Sequence, residues 1–349
     1  MEHQPIPISS ARSFLPYVDF MIEIGAPVER WLEQHHLPFQ IYEDTDSYIP
    51  TLNYWKFVAH SSRQEGIEDL GLRLGQDRSY DGVGHRVISS AFAAPTLLTG
   101  IEEFSRLVRG EYSRMLVWLS DADADGGDDD LVHLNLKKSF GLDTPGYCQT
   151  EWMGLIVLVK LVRLFAGRTW QPIEISLRSC GTLIPLANGL YPDTHFLMAQ
   201  PECYIAFPKD LLSLGPRESG AQVVAKLKSS SADCPSHEPP ADFPESLHRL
   251  LMTYLRDGYP SVDFAADLAG VSTRTLQRRL SGCDLSFSSL VNRARFELAT
   301  HLLTHTDTSS LEIAYETGYE DPSNFARAFR RVAGCSPREY RRRHTAAAP

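Results

Sequence analysis

Two arginines, Arg278 and Arg327, occupy matched places near the end of this 349-residue chain. The first follows Ala266-Asp267-Leu268-Ala269-Gly270-Val271-Ser272 and sits in Leu276-Gln277-Arg278-Arg279-Leu280. The second follows Ala314-Tyr315-Glu316-Thr317-Gly318-Tyr319 and sits in Phe325-Ala326-Arg327-Ala328-Phe329. Each copy sets an Ala four residues before a Gly, then an apolar-x-Arg-x-apolar run, and the Ala/Gly pairs are offset by 48 residues. A helix-turn-helix needs this order. The small Ala admits close packing of the second helix, the Gly takes the positive φ of the tight turn, and the apolar pair anchors the second helix. The Arg between the apolar pair then points away from the core. A guanidinium there can fork onto guanine or phosphate, and Gln277 beside it suits adenine.

The elements that must position these groups follow from helical periodicity and capping. A lead helix is expected over Pro244–Asp257 and the first helix-turn-helix over Val262–Ser281. A long connecting helix over Phe287–His305 leads to the second helix-turn-helix over Ser309–Ala333. Ser309-x-x-Glu312 reads as a capping box, and Ser336-Pro337-Arg338-Glu339 opens a last helix with N-cap Ser, Pro at N1 and Glu at N3. With Leu276 and Leu280 inward, Thr273, Arg274, Gln277 and Arg278 face out. With Phe325 and Phe329 inward, Ser323, Asn324 and Arg327 face out.

Charge divides along the chain. The whole carries −10, yet from Phe243 onward 14 Arg and no Lys stand against 12 Asp and Glu, a net +2. An acidic remainder would be repelled by a duplex and should stay off it. Six scattered Cys with no CxxC pair argue against zinc or a disulfide framework and for a reducing, cytoplasmic setting. The start MEHQPIPISS lacks the order of a signal peptide. The apolar window Trp152–Phe165 is too short to span a bilayer and carries Lys160 and Arg163, so no membrane partner is expected.

The Ser- and Pro-rich stretch 229–242 reads as a linker where the charge balance changes. It separates a domain over 1–228 from one over 243–349. In the first, helices are expected over Ala11–Gly25, Val28–His36, Asn53–Gln64, Thr99–Leu119 (Thr99 as N-cap, Glu102 completing a capping box) and Thr150–Ala166. Strands are expected over Leu131–Leu136, Ile173–Leu177 and Cys203–Phe207, with an acidic turn over Asp121–Asp130. The fold class is therefore α+β for the N-terminal domain and all-α, with two helix-turn-helix motifs, for the C-terminal one.

The run from Ser310 to Arg331, with Gly334-Cys335-Ser336-Pro337-Arg338-Glu339-Tyr340-Arg341 and the earlier Val271–Leu280, resembles the signature of the AraC/XylS family of bacterial transcription regulators. Leu70-Gly71-Leu72-Arg73-Leu74-Gly75, Gly82-Val83-Gly84, Ser89-Ser90, Leu97, and Ala206-Phe207-Pro208 with Leu211-Leu212 resemble the arabinose-binding-like regulatory domain of one branch, a name that does not make arabinose the ligand. Where that branch favours an acidic-Ala-Leu run after Leu97, this chain has Leu98-Thr99-Gly100-Ile101. The resemblance implies base reading by Arg274, Gln277, Arg278, Ser323, Asn324 and Arg327. Thr273, Arg279, Arg330 and Arg331 are assigned to the DNA backbone, where contacts position without specifying sequence. Arg341-Arg342-Arg343 reads as a solvated or phosphate-facing end. The implied partners are promoter DNA, RNA polymerase, a small-molecule effector and a second copy of the chain, with activation favoured and no cofactor.

For the N-terminal domain three readings stand: an effector sensor, a ligand-independent dimerisation domain, or an enzyme fused to a DNA reader. His85, Arg86, Trp118, His133, Trp152 and His195 could line a pocket, though core or surface roles suit each better. No HxH, HExxH, GxSxG or P-loop pattern supports catalysis, and Asp121–Asp130 lacks the alternating ligands and terminal Glu of an EF-hand.

Overall fold

The computed structural model describes residues 4–42, 45, 47–77, 83–122, 130–180, 183–217, 222, 225, 238–255, 258 and 260–345. They group into two compact units: Pro7–Asp46 with Thr51–Pro239, and Pro240–Pro349 with Met1–Ile6 and Ser47–Pro50. Residues 229–237 of the expected linker, and 123–129 of the acidic turn, lie outside the described residues.

The larger unit is α+β. Helices α1 (Leu15–Glu23), α2 (Val28–Gln34), α3 (Thr51–Gln64), α4 (Leu70–Asp77), α5 (His85–Ala93) and α6 (Leu97–Glu111) precede strands β1 (Leu116–Asp121) and β2 (Leu131–Lys137). Then come α7 (Tyr147–Ala166), β3 (Glu174–Ser176), α8 (Ile184–Leu190), β4 (His195–Leu197) and β5 (Tyr204–Pro208). The five strands form one sheet in the order β1-β2-β5-β3-β4. Its pairs are antiparallel, with Trp118 opposite Asn135, Val132 opposite Phe207 and Ile175 opposite Ile205. The exception is β3 beside β4, a parallel pair, and α8 supplies the crossover that such a pair requires.

Helix α7 is the centre of this core. Leu155, Ile156, Leu158, Val159, Leu161, Val162, Leu164 and Phe165 are all buried, so the helix is apolar round most of its circumference and has packing on several sides. Helix α4 approaches it through a glycine face. A Cβ on Gly71 would lie 1.8 Å from the Gln149 carbonyl oxygen, and one on Gly75 2.8 Å from Ile156 Cβ. The Leu-Gly-Leu-Arg-Leu-Gly run thus has a packing reason: glycines four apart share one helix face.

Two expectations for α6 are corrected. Its N-cap is Thr96, not Thr99: Thr96 is extended, and its hydroxyl accepts from the Thr99 amide while Thr99 Oγ1 accepts from the Thr96 amide at 3.2 Å. Glu102 takes no part in that reciprocal cap. The helix also stops at Glu111, because Tyr112 turns extended and Leu116–Asp121 pairs with β2 as a strand. Met115-Leu116-Val117-Trp118-Leu119 is an unbroken apolar run, which periodicity alone reads either way, and sheet pairing decides it. The departure at Gly100 has a reason in packing as well. A Cβ there would come within 2.8 Å of the Ala91 carbonyl oxygen and 2.9 Å of Phe165 Cζ, so glycine lets α5, α6 and α7 converge. The helix expected from Ala11 divides into a short 3-10 turn, Ala11–Ser13, and α1, with Pro16 in the first turn of α1.

The smaller unit is helical: α9 (Phe243–Tyr254), α10 (Val262–Leu268), α11 (Thr273–Ser281), α12 (Phe287–His305), α13 (Ser310–Glu316), α14 (Pro322–Ala333) and α15 (Pro337–Thr345). Two distant stretches of chain pack within it. Ser246 Oγ on α9 accepts from the Ile6 amide at 2.8 Å, and Thr253 Oγ1 accepts from the Tyr48 amide at 3.1 Å while donating to the Tyr48 carbonyl at 2.9 Å. The Arg249 guanidinium lies over the Tyr48 ring, 5.4 Å from its centroid.

Candidate nucleic-acid interface

The two turns in the helical unit are built by the same bonds. In the first, the Gly270 amide donates to Asp267 O at 3.0 Å and the Val271 amide to Ala266 O at 3.0 Å. In the second, Gly318 donates to Tyr315 O at 2.8 Å and Tyr319 to Ala314 O at 2.9 Å. Gly270 has φ +64° and Gly318 φ +73°, the left-handed region that a side chain makes costly. Ala266 and Ala314 are buried beneath the turns. The helices that follow start cleanly. Ser272 Oγ accepts from the Thr275 amide at 3.3 Å, and Asp321 Oδ1 accepts from the Ser323 amide at 2.8 Å. The expected capping box at Ser309 is present: the Glu312 amide donates to Ser309 Oγ at 3.2 Å, and the Ser309 amide to Glu312 Oε2 at 2.9 Å. Those bonds to Ser309 hold the Glu312 carboxyl below its ordinary pKa.

Leu276 and Leu280 of α11 are 0% and 1% exposed, and Phe325 and Phe329 of α14 are 3% each. This fixes which side of each helix faces out. Arg274, Gln277 and Arg278 are exposed on α11; Ser323, Asn324, Arg327, Arg330 and Arg331 are exposed on α14. Arg327 Nη2 donates to Asn324 Oδ1 at 2.5 Å, so these two base-reading candidates form one local pair. Thr273 is half-buried, and its hydroxyl donates to Asp263 Oδ1 on α10 at 2.7 Å. Arg279 is half-buried too, its guanidinium 4.9 Å from the centroid of the Phe243 ring. That cation–π contact competes with a phosphate for the same group.

Helix α12 joins the two motifs along a stripe of Leu290, Val291, Ala294, Leu298, Ala299, Leu302 and Leu303. Arg295 lies in that stripe. Its guanidinium donates to the Gly318 carbonyl at the second turn and stacks 4.2 Å from the Tyr319 ring centroid. Sequence reasoning passed over Arg295; the available signal was an Arg beside Ala294 on an otherwise apolar helix face. Arg341 also corrects its expectation. It is no solvated end, because its guanidinium donates to Leu303 O at 3.0 Å and Thr308 O at 2.6 Å, capping the C-terminus of α12. Arg343 pairs with Glu339 at 2.7 Å on the surface.

His248 on α9 is buried with Nε2 3.2 Å from Glu297 Oε2 on α12. Burial lowers its pKa below the ordinary histidine value, Glu297 opposing and Arg293 reinforcing that shift. Among the described residues no group of three or more His, Cys, Asp or Glu could hold a metal, and no helix is long and apolar enough to cross a membrane.

Two helix-turn-helix units bonded alike and joined by one helix define a double DNA-reading domain. Comparisons with known proteins agree. The family described as "Helix-turn-helix domain" matches residues 265–343. The chain is 23% identical over 331 residues to the HTH-type transcriptional regulator VirS of Mycobacterium tuberculosis, covering 93% of this chain and 94% of VirS. It is 24% identical over 347 residues to the ornithine utilization regulator of Pseudomonas aeruginosa, 96% of each chain. Over 95 residues it is 41% identical to the HTH-type transcriptional activator RhaS of an Enterobacter species, covering 26% of this chain and 34% of RhaS. Residues 265–343 therefore form a DNA-binding helix-turn-helix domain, and the relatives that match the chain are named as transcription regulators.

Proposed function

We propose that this regulator binds promoter DNA as a homodimer in the cytoplasm and activates transcription through contact with RNA polymerase, under control of a small molecule held by the larger unit. In each protomer α11 and α14 enter successive major-groove segments, about one helical turn or 34 Å apart. Arg274, Gln277 and Arg278 read one block of bases; Ser323, Asn324 and Arg327 read the other. Arg330 and Arg331 neutralise phosphates, and Thr273 and Arg279 serve the backbone from their half-buried positions. The domains behind this division are 1–228 for effector binding and dimerisation, 229–242 as linker, and 243–349 as reader.

The observation that carries the reading is the matched exposure of polar and cationic side chains on two helices whose apolar residues are buried alike. The lean toward activation follows RhaS, a relative named as an activator. The test is sequence selection from a random duplex library with the full-length protein at two salt concentrations. A recurring motif of two blocks one helical turn apart is expected. Sequence-neutral binding that disappears with salt would reduce the domain to phosphate contacts and overturn the reading.

A further inference from the structure

Within the larger unit a cleft of about 600 Å³, solvent at its open side included, lies among α3, α6, the end of β2 and α7. Its walls are mainly apolar, as those of small-molecule sites are, with Phe104, Met115, Met153 and Val157 among them. The hydroxyls in the lining are largely committed to the protein. Thr51 Oγ1 bonds Ser9 Oγ at 2.8 Å, Tyr54 donates to Ser13 O at 3.2 Å, and Thr150 donates to Tyr147 O at 3.0 Å.

Lys138 is different. Its ammonium is 5.8 Å from the centroid of the Trp55 ring, and both residues line the cleft. Across the cleft, a Cβ on Gly154 would stand 2.6 Å from Leu136 Cδ2 and 3.2 Å from Lys138 Nζ, so α7 leaves out a side chain where the lysine lies. Among the described residues no carboxylate pairs with this ammonium. The neighbouring acid, Glu151, accepts from the Arg178 and Ser179 amides at 3.0 and 3.1 Å instead. Burial outweighs the field of Glu151, which favours the charged lysine, so an ammonium in this apolar cleft stays costly unless an anion pairs with it directly.

We propose that this cleft is the effector site and that it takes a monocarboxylate with an apolar body, the carboxylate pairing with Lys138. The inference rests on the effector-sensing reading above and gives it a site and a ligand class. Burial lowers the lysine to about 8, which leaves it mostly protonated at neutral pH and able to meet an anion. The apolar body would lie along Phe104, Met153 and Val157, displacing water from apolar walls. None of the pocket candidates raised from sequence lines this cleft; the side chain of His85 lies outside what is described.

The chain also offers a route for the signal. Thr51, the first residue of α3 and part of the wall, is joined by one peptide bond to Pro50, which ends the Ser47–Pro50 stretch that groups with the reader. Tyr48 in that stretch is the residue clamped by Thr253 on α9. A carboxylate that shifts the start of α3 therefore acts on a segment docked to the DNA-binding unit, and differential affinity for two states is all that linkage requires.

The test uses octanoate and octan-1-ol as probes on the full-length protein, read by calorimetry and by Trp emission. Octanoate should bind at least tenfold more tightly than octan-1-ol, and Lys138→Met should remove that preference while leaving octan-1-ol binding in place. Val157→Trp, which fills the cleft, should weaken both; retained far-UV circular dichroism confirms that each variant is folded. Equal affinity for the two probes, or an unchanged preference in Lys138→Met, overturns the proposal, as does the absence of octanoate binding at millimolar concentration. Duplex affinity is measured alongside. Specific duplex binding without carboxylate binding leaves the reader standing and removes the site. Carboxylate binding through Lys138 with no change in duplex affinity keeps the site and removes the sensing role.

Discussion

Replacing the two turn glycines by alanine separates backbone strain from a tertiary contact. At Gly270 a Cβ meets nothing within 4 Å, so Gly270→Ala carries only the cost of a left-handed residue, roughly 1–2 kcal/mol. At Gly318 the same backbone cost applies, but the new Cβ lies 3.0 Å from Arg295 Nη2. That nitrogen donates to the Gly318 carbonyl, and the guanidinium is also stacked on Tyr319, so it cannot swing aside without losing both. A hydrogen bond from a charged donor contributes about 1.5–3 kcal/mol. The total for Gly318→Ala is then roughly 2.5–5 kcal/mol, assuming the terms add. Amide hydrogen exchange in the full-length protein reads this locally, since each 1.4 kcal/mol speeds exchange about tenfold. Amides of α13 and α14 should accelerate by roughly two to three and a half decades in Gly318→Ala, and those of α10 and α11 by about one decade in Gly270→Ala. The five Trp residues, at 31, 55, 118, 152 and 170, all lie in the larger unit, so Trp emission serves as a control that should not move. Equal acceleration in the two variants would refute the role given to Arg295.

Other outcomes follow from the same geometry. Arg327→Ala should cost about 1–3 kcal/mol on the selected duplex and relax preference at one base pair, measured by competition against single-base variants. Arg330→Ala should weaken selected and random duplexes alike and reduce the salt slope by about one; a sequence-dependent loss would move Arg330 among the base readers. Ser309→Ala removes the acceptor of the α13 cap and should destabilise that helix by about 1 kcal/mol, seen as faster exchange confined to α13 and its neighbour. His248 gives the reader a pH dependence. Its folded-state pKa is lowered, so the unfolded chain binds the proton more readily, and stability falls as pH drops below about 6.5. Denaturation followed by far-UV circular dichroism should show this acid loss, reduced in His248→Phe. A variant with the same pH profile as the parent would assign the loss elsewhere.

Much of the reader was legible because its determinants are local. The Ala/Gly spacing, the Leu276/Leu280 and Phe325/Phe329 pairs and the caps at Ser272, Ser309 and Ser336 act within a few residues of where they stand. The expected connecting helix matches α12, Phe287–His305, because its ends are set by such local signals. Which groups on the outer faces are already engaged was not legible. Thr273 meets Asp263, Arg279 meets Phe243 and Arg341 reaches back to Thr308, partners that only packing supplies.

In the larger unit the balance reverses. Sequence periodicity found α7 and β2 to within a few residues, yet it carried α6 through Leu116–Asp121, where pairing with β2 makes a strand. Helices α4, α5 and α8 and strand β4 went unassigned, because their short segments gain stability from neighbours more than from their own pattern. The glycines at 71, 75, 100 and 154 carry no meaning until another element is seen to press against them. The chain alone thus determined that two matched helix-turn-helix units stand near its end, since that device is written in residues a turn or two apart. Tertiary structure decided the rest: it brought Trp55, Lys138 and Gly154 to one cleft and joined Tyr48 to α9, contacts between residues far apart in the chain that exist only once hydrophobic burial has packed the elements together.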